Sequence, residues 1–174
     1  MLAKGLKALQ MAIKDFGGTV NGAKIEVLSA DDRNNPDASS STVRRWVEND
    51  KVDMVAGLVA SSVTIAVSKI LEENDRLGIV SGSAASSITN EHCTPNHIHY
   101  VYDTYPLANG TASAVVKEGG KSWYLMTADY AFGHALEADV TRVVEANGGE
   151  IVGSVRHPFP TQDFSSFVLQ AQAS

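Results

Sequence analysis

Apolar positions along this chain recur with two periods, one typical of helices and the other of strands. Leu2, Leu6, Leu9, Ile13 and Phe16 are spaced as one face of a helix would be. Short apolar runs and further helical patterns then alternate, which is typical of an α/β fold with a parallel sheet. The pattern predicts strands at 24–29, 52–57, 78–81, 97–102, 123–126 and 151–153, and helices at 2–16, after an N-cap at Asp37, at 63–73 and at 164–173.

The same junction between a helix and the following strand occurs three times. The helical pattern ends each time in a glycine pair, at Gly17-Gly18, Gly119-Gly120 and Gly148-Gly149. Glycine readily adopts the left-handed conformation that the residue after a helix often needs. These junctions support repeated β/α units and carry no chemistry.

Two of the predicted strands continue into loops of small hydroxyl residues. Strand 52–57 leads to Ser61 and Ser62, and strand 78–81 leads to the loop 82–87. The carboxyl ends of parallel strands are where ligands bind in open α/β sheets. Serine hydroxyls beside a helix N-terminus suit a carboxylate or a phosphate, and one of the two serines should also cap the helix. Because no strong base or nucleophile accompanies them, the loops favour binding over catalysis.

Length and charge exclude several classes of protein. The chain has 174 residues and a net charge of −6, with no basic run, which argues against a nucleic-acid partner. No apolar stretch approaches the roughly 20 residues of a membrane helix. No signal peptide is recognised, because residues 1–5 lead directly into a helical pattern.

One segment resembles a metal site. It runs from Glu91 to His99 and contains the single cysteine of the chain. His97 and His99 alternate along a predicted strand, and no second cysteine pair exists. We therefore expect Cys93 to be a free thiol, and His92, His97 and His99 to bind no metal. Neither Gly-x-Gly-x-x-Gly nor a Walker loop is present, so no cofactor is expected.

Seven short motifs follow one another in a recognisable order, at 17–22, 31–32, 51–53, 60–62, 81–84, 129–133 and 163–165. In this order they resemble the type I periplasmic solute-binding proteins of branched-chain amino acid ABC transporters, and the aromatic-acid subgroup most closely. The resemblance implies two α/β lobes with parallel sheets. Residues 1–104 would be the first lobe without its first strand, and residues 105–174 the start of a second lobe that is mostly missing.

The missing first strand would lie between the strands at 24–29 and 52–57. Its absence would leave unpaired backbone groups on both sides of the gap. We therefore expect another segment to fill the gap, either through domain swapping or self-association, or from the remainder of a longer chain.

In the family the ligand lies between the lobes, and the resemblance implies which residues surround it. The carboxylate would be held by the two strand-end loops. A ring from the second lobe would close over the ligand at Phe132, with Tyr130 nearby, and Asp103 at the crossing between the lobes is the candidate partner for an ammonium group. The implied ligand-binding residues are Ser61, Ser62, Ser83, Ala84, Ala85, Tyr102, Asp103, Tyr130 and Phe132.

The implied function is capture of a small carboxylate, either an amino acid or an aromatic acid, for an ABC permease in the membrane. The implied location is periplasmic or extracytoplasmic, and no enzymatic activity is expected. One alternative is the ligand-sensing domain of a receptor with the same lobes. Another is a small α/β serine hydrolase that uses Ser61 or Ser62, although neither lies in a Gly-x-Ser-x-Gly motif.

Overall fold

A computed structural model describes residues 2–174, with side chains from residue 5 onward. Helices and strands alternate along the chain, which gives the predicted α/β class. The elements are α1 (Leu2–Phe16), β1 (Thr19–Val20), β2 (Ala23–Lys24), α2 (Pro36–Glu48), β3 (Met54–Leu58), α3 (Ser61–Glu73), β4 (Leu77–Val80), a 3-10 turn (Ser86–Thr89), β5 (His97–His99), α4 (Thr104–Lys117), β6 (Ser122–Ala128), α5 (Ala131–Ala146), β7 (Glu150–His157) and α6 (Ser165–Gln172).

The strands form two parallel sheets, each with its own apolar core. One sheet has the order β3-β4-β5 and the other pairs β6 with β7, while β1 and β2 form a small antiparallel hairpin. Val67, Leu71 and Val80 are fully buried in the first core, and Val144 is fully buried in the second. Trp46 and Trp123 are half-buried and pack against these two cores.

The three glycine junctions form as predicted. In each pair the first glycine has a positive φ, of 101°, 103° and 79° in chain order. The second glycine donates its N–H to the carbonyl five residues earlier, and the N···O distance is 2.9 Å in all three cases. These bonds satisfy carbonyls that the helix end would otherwise leave unpaired.

The predicted strand at 24–29 is wrong beyond its first residue. Only Ala23 and Lys24 are in β2, and they pair with Val20 and Thr19. The N–H of Ile25 still bonds to the carbonyl of Gly18 beside β1, over a distance of 2.9 Å. Residues 25–30 are not in a strand, because no described strand pairs with them. The strand predicted at 97–102 is likewise shorter and ends at His99.

The predicted N-cap of α2 is also wrong. Asn35 is the cap, and its side-chain oxygen accepts hydrogen bonds from the backbone N–H groups of Asp37 and Ala38, both over 3.0 Å. Pro36 follows at the first helical position, where its fixed φ and missing N–H are tolerated. None of the helices described over residues 2–174 is both long and apolar enough to cross a membrane.

Candidate ligand site

A cleft of about 180 Å³ lies where the two sheets approach each other. One wall follows the carboxyl ends of β3 and β4, and the other is the start of α5. This volume is below the roughly 300–1,000 Å³ of pockets for drug-sized ligands, so the cleft suits a smaller molecule. The lining residues are Val59, Ser61, Gly82, Ala84, Tyr102, Tyr130 and Phe132.

Five of the residues predicted to bind ligand line this cleft together: Ser61, Ala84, Tyr102, Tyr130 and Phe132. Ser62, Ser83, Ala85 and Asp103 are not among its lining residues. Sequence reasoning missed Val59 and Gly82. Both residues follow the end of a predicted strand, and their place there could have identified them as cleft residues.

Ser61 combines burial with an available donor. Its side chain is almost fully buried, with 1% of the residue exposed, and its Oγ accepts a 3.2 Å hydrogen bond from the N–H of Ala85. Accepting this bond leaves the hydroxyl proton free to donate. The backbone N–H of Ala84 also has no hydrogen-bond acceptor among residues 2–174. The cleft therefore offers a side-chain donor and a backbone donor next to each other.

The expectation that Ser61 or Ser62 caps α3 is wrong. The N-cap is Ala60, which makes no side-chain hydrogen bond. Both serine hydroxyls instead accept backbone N–H groups from distant segments, since Ser62 Oγ accepts from the N–H of Ala131 over 3.1 Å. The first turn of α3 is thereby joined to the first turn of α5, so the positive ends of two helix dipoles lie close together.

Ser83 stabilises the loop beneath the cleft. It is fully buried, and its hydroxyl bonds to that of Thr64, which donates its own proton to the carbonyl of Ala60. The carbonyl of Ser83 accepts a 2.7 Å hydrogen bond from Nε2 of His99. These bonds hold Ser83 in place, so its neighbour Ala84 has a fixed position in the cleft wall.

Asp103 caps a helix and lines a different cavity. Its carboxylate accepts the N–H of Tyr105 over 2.9 Å and so caps α4. It lines a second, larger cavity of about 890 Å³, together with Ser86, His134 and Arg142 among others. This larger cavity has charged side chains of both signs in its walls. The smaller cleft has the strand-end donors, so it is the better candidate for an anion.

Aromatic rings form one side of the smaller cleft. The Tyr130 ring stacks on Phe159 with centroids 4.7 Å apart, and it lies 6.0 Å from the Phe132 ring in a tilted arrangement. Burial raises the pKa of the Tyr130 hydroxyl above its usual value. Phe159 was not predicted, and its signal was an aromatic residue just after the end of β7.

The histidine-rich segment serves packing and hydrogen bonding. Nδ1 of His97 lies 3.2 Å from both Ser68 Oγ and Thr94 Oγ1. Cys93 is exposed and unpaired. Within the described part of the chain, no group of three or more His, Cys, Asp or Glu side chains is arranged to hold a metal ion.

Comparison with known proteins shows the same family along nearly the whole chain. A family profile described as periplasmic binding protein matches residues 2–174. A solved periplasmic binding protein from Burkholderia mallei is 49% identical, with a TM-score of 0.93, over 97% of this chain and 45% of that one. No curated protein sequence matches.

Two further solved structures are similar to this chain. A branched-chain amino acid ABC transporter periplasmic ligand-binding protein from Burkholderia xenovorans is 34% identical, with a TM-score of 0.71, over 97% of this chain and 45% of its own. An ABC transporter solute-binding protein from Rhodopseudomonas palustris, solved with 3,4-dihydroxybenzoic acid, is 29% identical, with a TM-score of 0.83, over 95% and 45%. The chain thus spans less than half the length of these relatives.

Proposed function

This chain belongs to the periplasmic binding protein family, and from that premise we propose that it serves the capture of a small carboxylate for an ABC transporter. The family is extracytoplasmic, so capture would take place outside the cytoplasm. In this proposal residues 1–104 and 105–174 belong to two lobes, and the ligand lies in the cleft between them. The two separate sheets, each with its own core, support this division.

The donors in the cleft are the observation that carries the proposal. Ser61, at the start of α3, and Ala84, in the loop after β4, lie in one wall of the cleft. The start of α5 lies opposite and is linked to α3 through Ser62. Neither helix has a side-chain cap hydrogen bond at its N-cap residue within the described structure. A carboxylate in the cleft would accept the free donors and interact favourably with both helix dipoles.

The rings favour a ligand with an apolar or aromatic body. Tyr102, Tyr130 and Phe132 line the cleft, and Phe159 supports Tyr130 from behind. Aromatic pairs gain energy from stacked or tilted contact in addition to burial. Both 3,4-dihydroxybenzoate and branched-chain amino acids combine a carboxylate with such a body. We therefore propose an aromatic acid or an apolar amino acid as the ligand class.

Capture without turnover fits the serine pair better than hydrolysis. Ser61 and Ser62 both accept backbone N–H groups, and neither bonds to an imidazole in residues 2–174. A serine nucleophile needs an adjacent base to take its proton. We propose that an ABC permease receives the released ligand.

Isothermal titration of this chain with benzoate, 3,4-dihydroxybenzoate and leucine tests the proposal. We expect Ser61→Ala to weaken binding of the carboxylate by about 1.5–3 kcal/mol, or roughly 10- to 150-fold, because a hydrogen bond to a charged group is lost. Ser41→Ala, on the exposed surface of α2, is the matched control. Failure of all three probes to bind, or equal affinity in the Ser61→Ala chain, would overturn the proposal.

A further inference from the structure

A buried carboxylate lies outside the cleft and takes no part in the proposed binding. Asp139 is in the middle of α5, and only 2% of the residue is exposed. Its Oδ2 accepts a 2.6 Å hydrogen bond from Thr104 Oγ1 and a 3.0 Å bond from Ser86 Oγ. Its Oδ1 lies 3.0 Å from Nη2 of Arg142, whose side chain is largely exposed. A charge buried to this extent needs such partners.

The hydrogen bonds form a closed triangle among three segments. The N–H of Ser86 donates to Thr104 Oγ1 over 3.1 Å, so Ser86 bonds to Thr104 as well as to Asp139. Ser86 begins the turn that follows the β4 loop, Thr104 is the first residue of α4, and Asp139 is in α5. The triangle therefore joins the loop that contains Ala84 to the helix that begins next to Tyr130.

A cavity lies between part of α5 and this loop. The cavity of about 890 Å³ lies beside the triangle, and Ser86, Asp139 and Arg142 are all among its lining residues. The other hydrogen bond from this region to α5 is the one between Ser62 and Ala131, two helical turns before Asp139. Two polar links on one helix thus hold the two sides of the cleft together.

We propose that Asp139 is a positioning residue for the ligand site. By holding Ser86 and Thr104, it sets where α5, and with it the ring wall of Tyr130 and Phe132, lies relative to Ser61 and Ala84. It does so without touching the ligand. The expected effect of Asp139 on ligand affinity rests on the proposed function. Its expected effect on the position of the ring wall relative to Ser61 and Ala84 does not.

Three variants separate this role from a general loss of stability. Asp139→Ala removes Oδ2, the oxygen that accepts both hydroxyl hydrogen bonds. Asp139→Asn keeps one oxygen that both hydroxyls can reach and loses the charge. Glu145→Ala is the matched control on the same helix, since Glu145 is exposed and its side chain bonds to no other group among the described residues. If Asp139→Ala does not fold, Ser86→Ala removes one side of the triangle and is used in its place.

Two measurements are made on each variant of this chain. Pulsed EPR gives the distance between spin labels at Glu48→Cys and Glu118→Cys, in a Cys93→Ser background without ligand. Titration with 3,4-dihydroxybenzoate gives the affinity. We expect Asp139→Ala to shift or broaden the distance distribution and to weaken binding about tenfold or more. Asp139→Asn and Glu145→Ala should stay close to the parent chain in both.

The two ideas fail in different ways. A parent chain that binds no carboxylate probe overturns the proposed function. A folded Asp139→Ala chain with the parent's distance distribution overturns the positioning role. An Asp139→Asn chain that behaves like Asp139→Ala also overturns it, because the hydroxyl acceptor would then not be what matters.

Discussion

The hydroxyl of Ser62 accepts a 3.1 Å hydrogen bond from the backbone N–H of Ala131, so the first turns of α3 and α5 are directly joined. A serine predicted to hold a ligand carboxylate thus has a bond within the protein. The bond uses only an acceptor of Ser62, and its proton remains available. We therefore expect Ser62 to hold the N-termini of α3 and α5 together, whether or not it also bonds to a ligand.

Replacing Ser62 with alanine should lower the stability of the chain. Ser62→Ala leaves the half-buried N–H of Ala131 without its partner, which should lower the free energy of unfolding by about 1–2 kcal/mol. Urea denaturation followed by circular dichroism measures this change. Ser41→Ala is the control, because its exposed hydroxyl bonds only within α2, to the carbonyl of Asp37, and its effect should stay within about 0.5 kcal/mol. Equal stability of both variants would show that the Ser62 link contributes nothing.

Two helical glycines should respond in opposite directions to alanine. Gly133 is in the first turn of α5, and a Cβ there would overlap the carbonyl oxygen of Ala128 at the end of β6. A Cβ at Gly110 in α4 meets no atom within 4 Å. Gly133→Ala should therefore destabilise the chain by about 1–3 kcal/mol, because α5 must shift. Gly110→Ala should stabilise it by up to about 1 kcal/mol, through better helix propensity.

Thermal or urea unfolding of the two glycine variants decides this prediction. Gly133→Ala should also weaken any binding in the cleft, since Phe132 precedes the shifted residue. A Gly133→Ala chain as stable as the Gly110→Ala chain would mean that α5 can begin in another position without cost.

Features with local causes were predictable from the sequence. The glycine junctions form hydrogen bonds within five residues, so Gly119 and Gly148 carry their own signal. The strand at 24–29 failed because a strand needs a partner, and the residues near Ile25 do not reveal whether one is present. The same holds for the caps, where Asn35 and Asp37 are both suitable and only the geometry selects one.

Only those residues of the candidate site that directly follow a predicted strand could be identified from the sequence. Ser61 and Ala84 follow apolar strands, and both line the cleft. The bonds of Ser62 and Ser83 depend on residues far along the chain, which no local pattern gives. Asp139 was missed because an acidic residue within a helix is usually exposed. Its position one turn before the buried Val143 was the available signal.

Stability should decline on acidification through His97. Burial is the largest cause that lowers the pKa of His97 below its ordinary value of 6.5, and nearby His99 also lowers it, while the backbone at Ile88 and the carboxylate of Glu72 act in the opposite direction. Below pH 6.5 the unfolded chain therefore binds more protons than the folded chain. The free energy of unfolding should be fully retained above this pH and fall as the pH drops toward the folded pKa.

Urea denaturation between pH 8 and pH 5 measures the slope. His97→Gln should flatten the profile in the window below pH 6.5, because the titrating group is gone. His92→Gln, on the preceding loop, is the control for loss of an imidazole. A His97→Gln chain with the parent's slope would assign the acid sensitivity to other groups.

The first sheet has an unpaired edge. β3 pairs with β4, and no second neighbour of β3 is present in residues 2–174. Met54, on β3, is 42% exposed, and Phe16 at the end of α1 is 70% exposed. Open strand edges and exposed apolar side chains both favour association.

We therefore predict that this chain self-associates through the unpaired edge at β3. Multi-angle light scattering at increasing concentration should show dimers or larger species. Met54→Lys places a charge on the edge strand, which disfavours pairing, and should shift the population toward monomer. Val168→Lys is the matched control, because Val168 is also 42% exposed but lies in α6, remote in sequence from this edge. A folded parent chain that stays monomeric would show that the β3 edge needs no partner. Equal dissociation by both lysine variants would instead place the contact elsewhere.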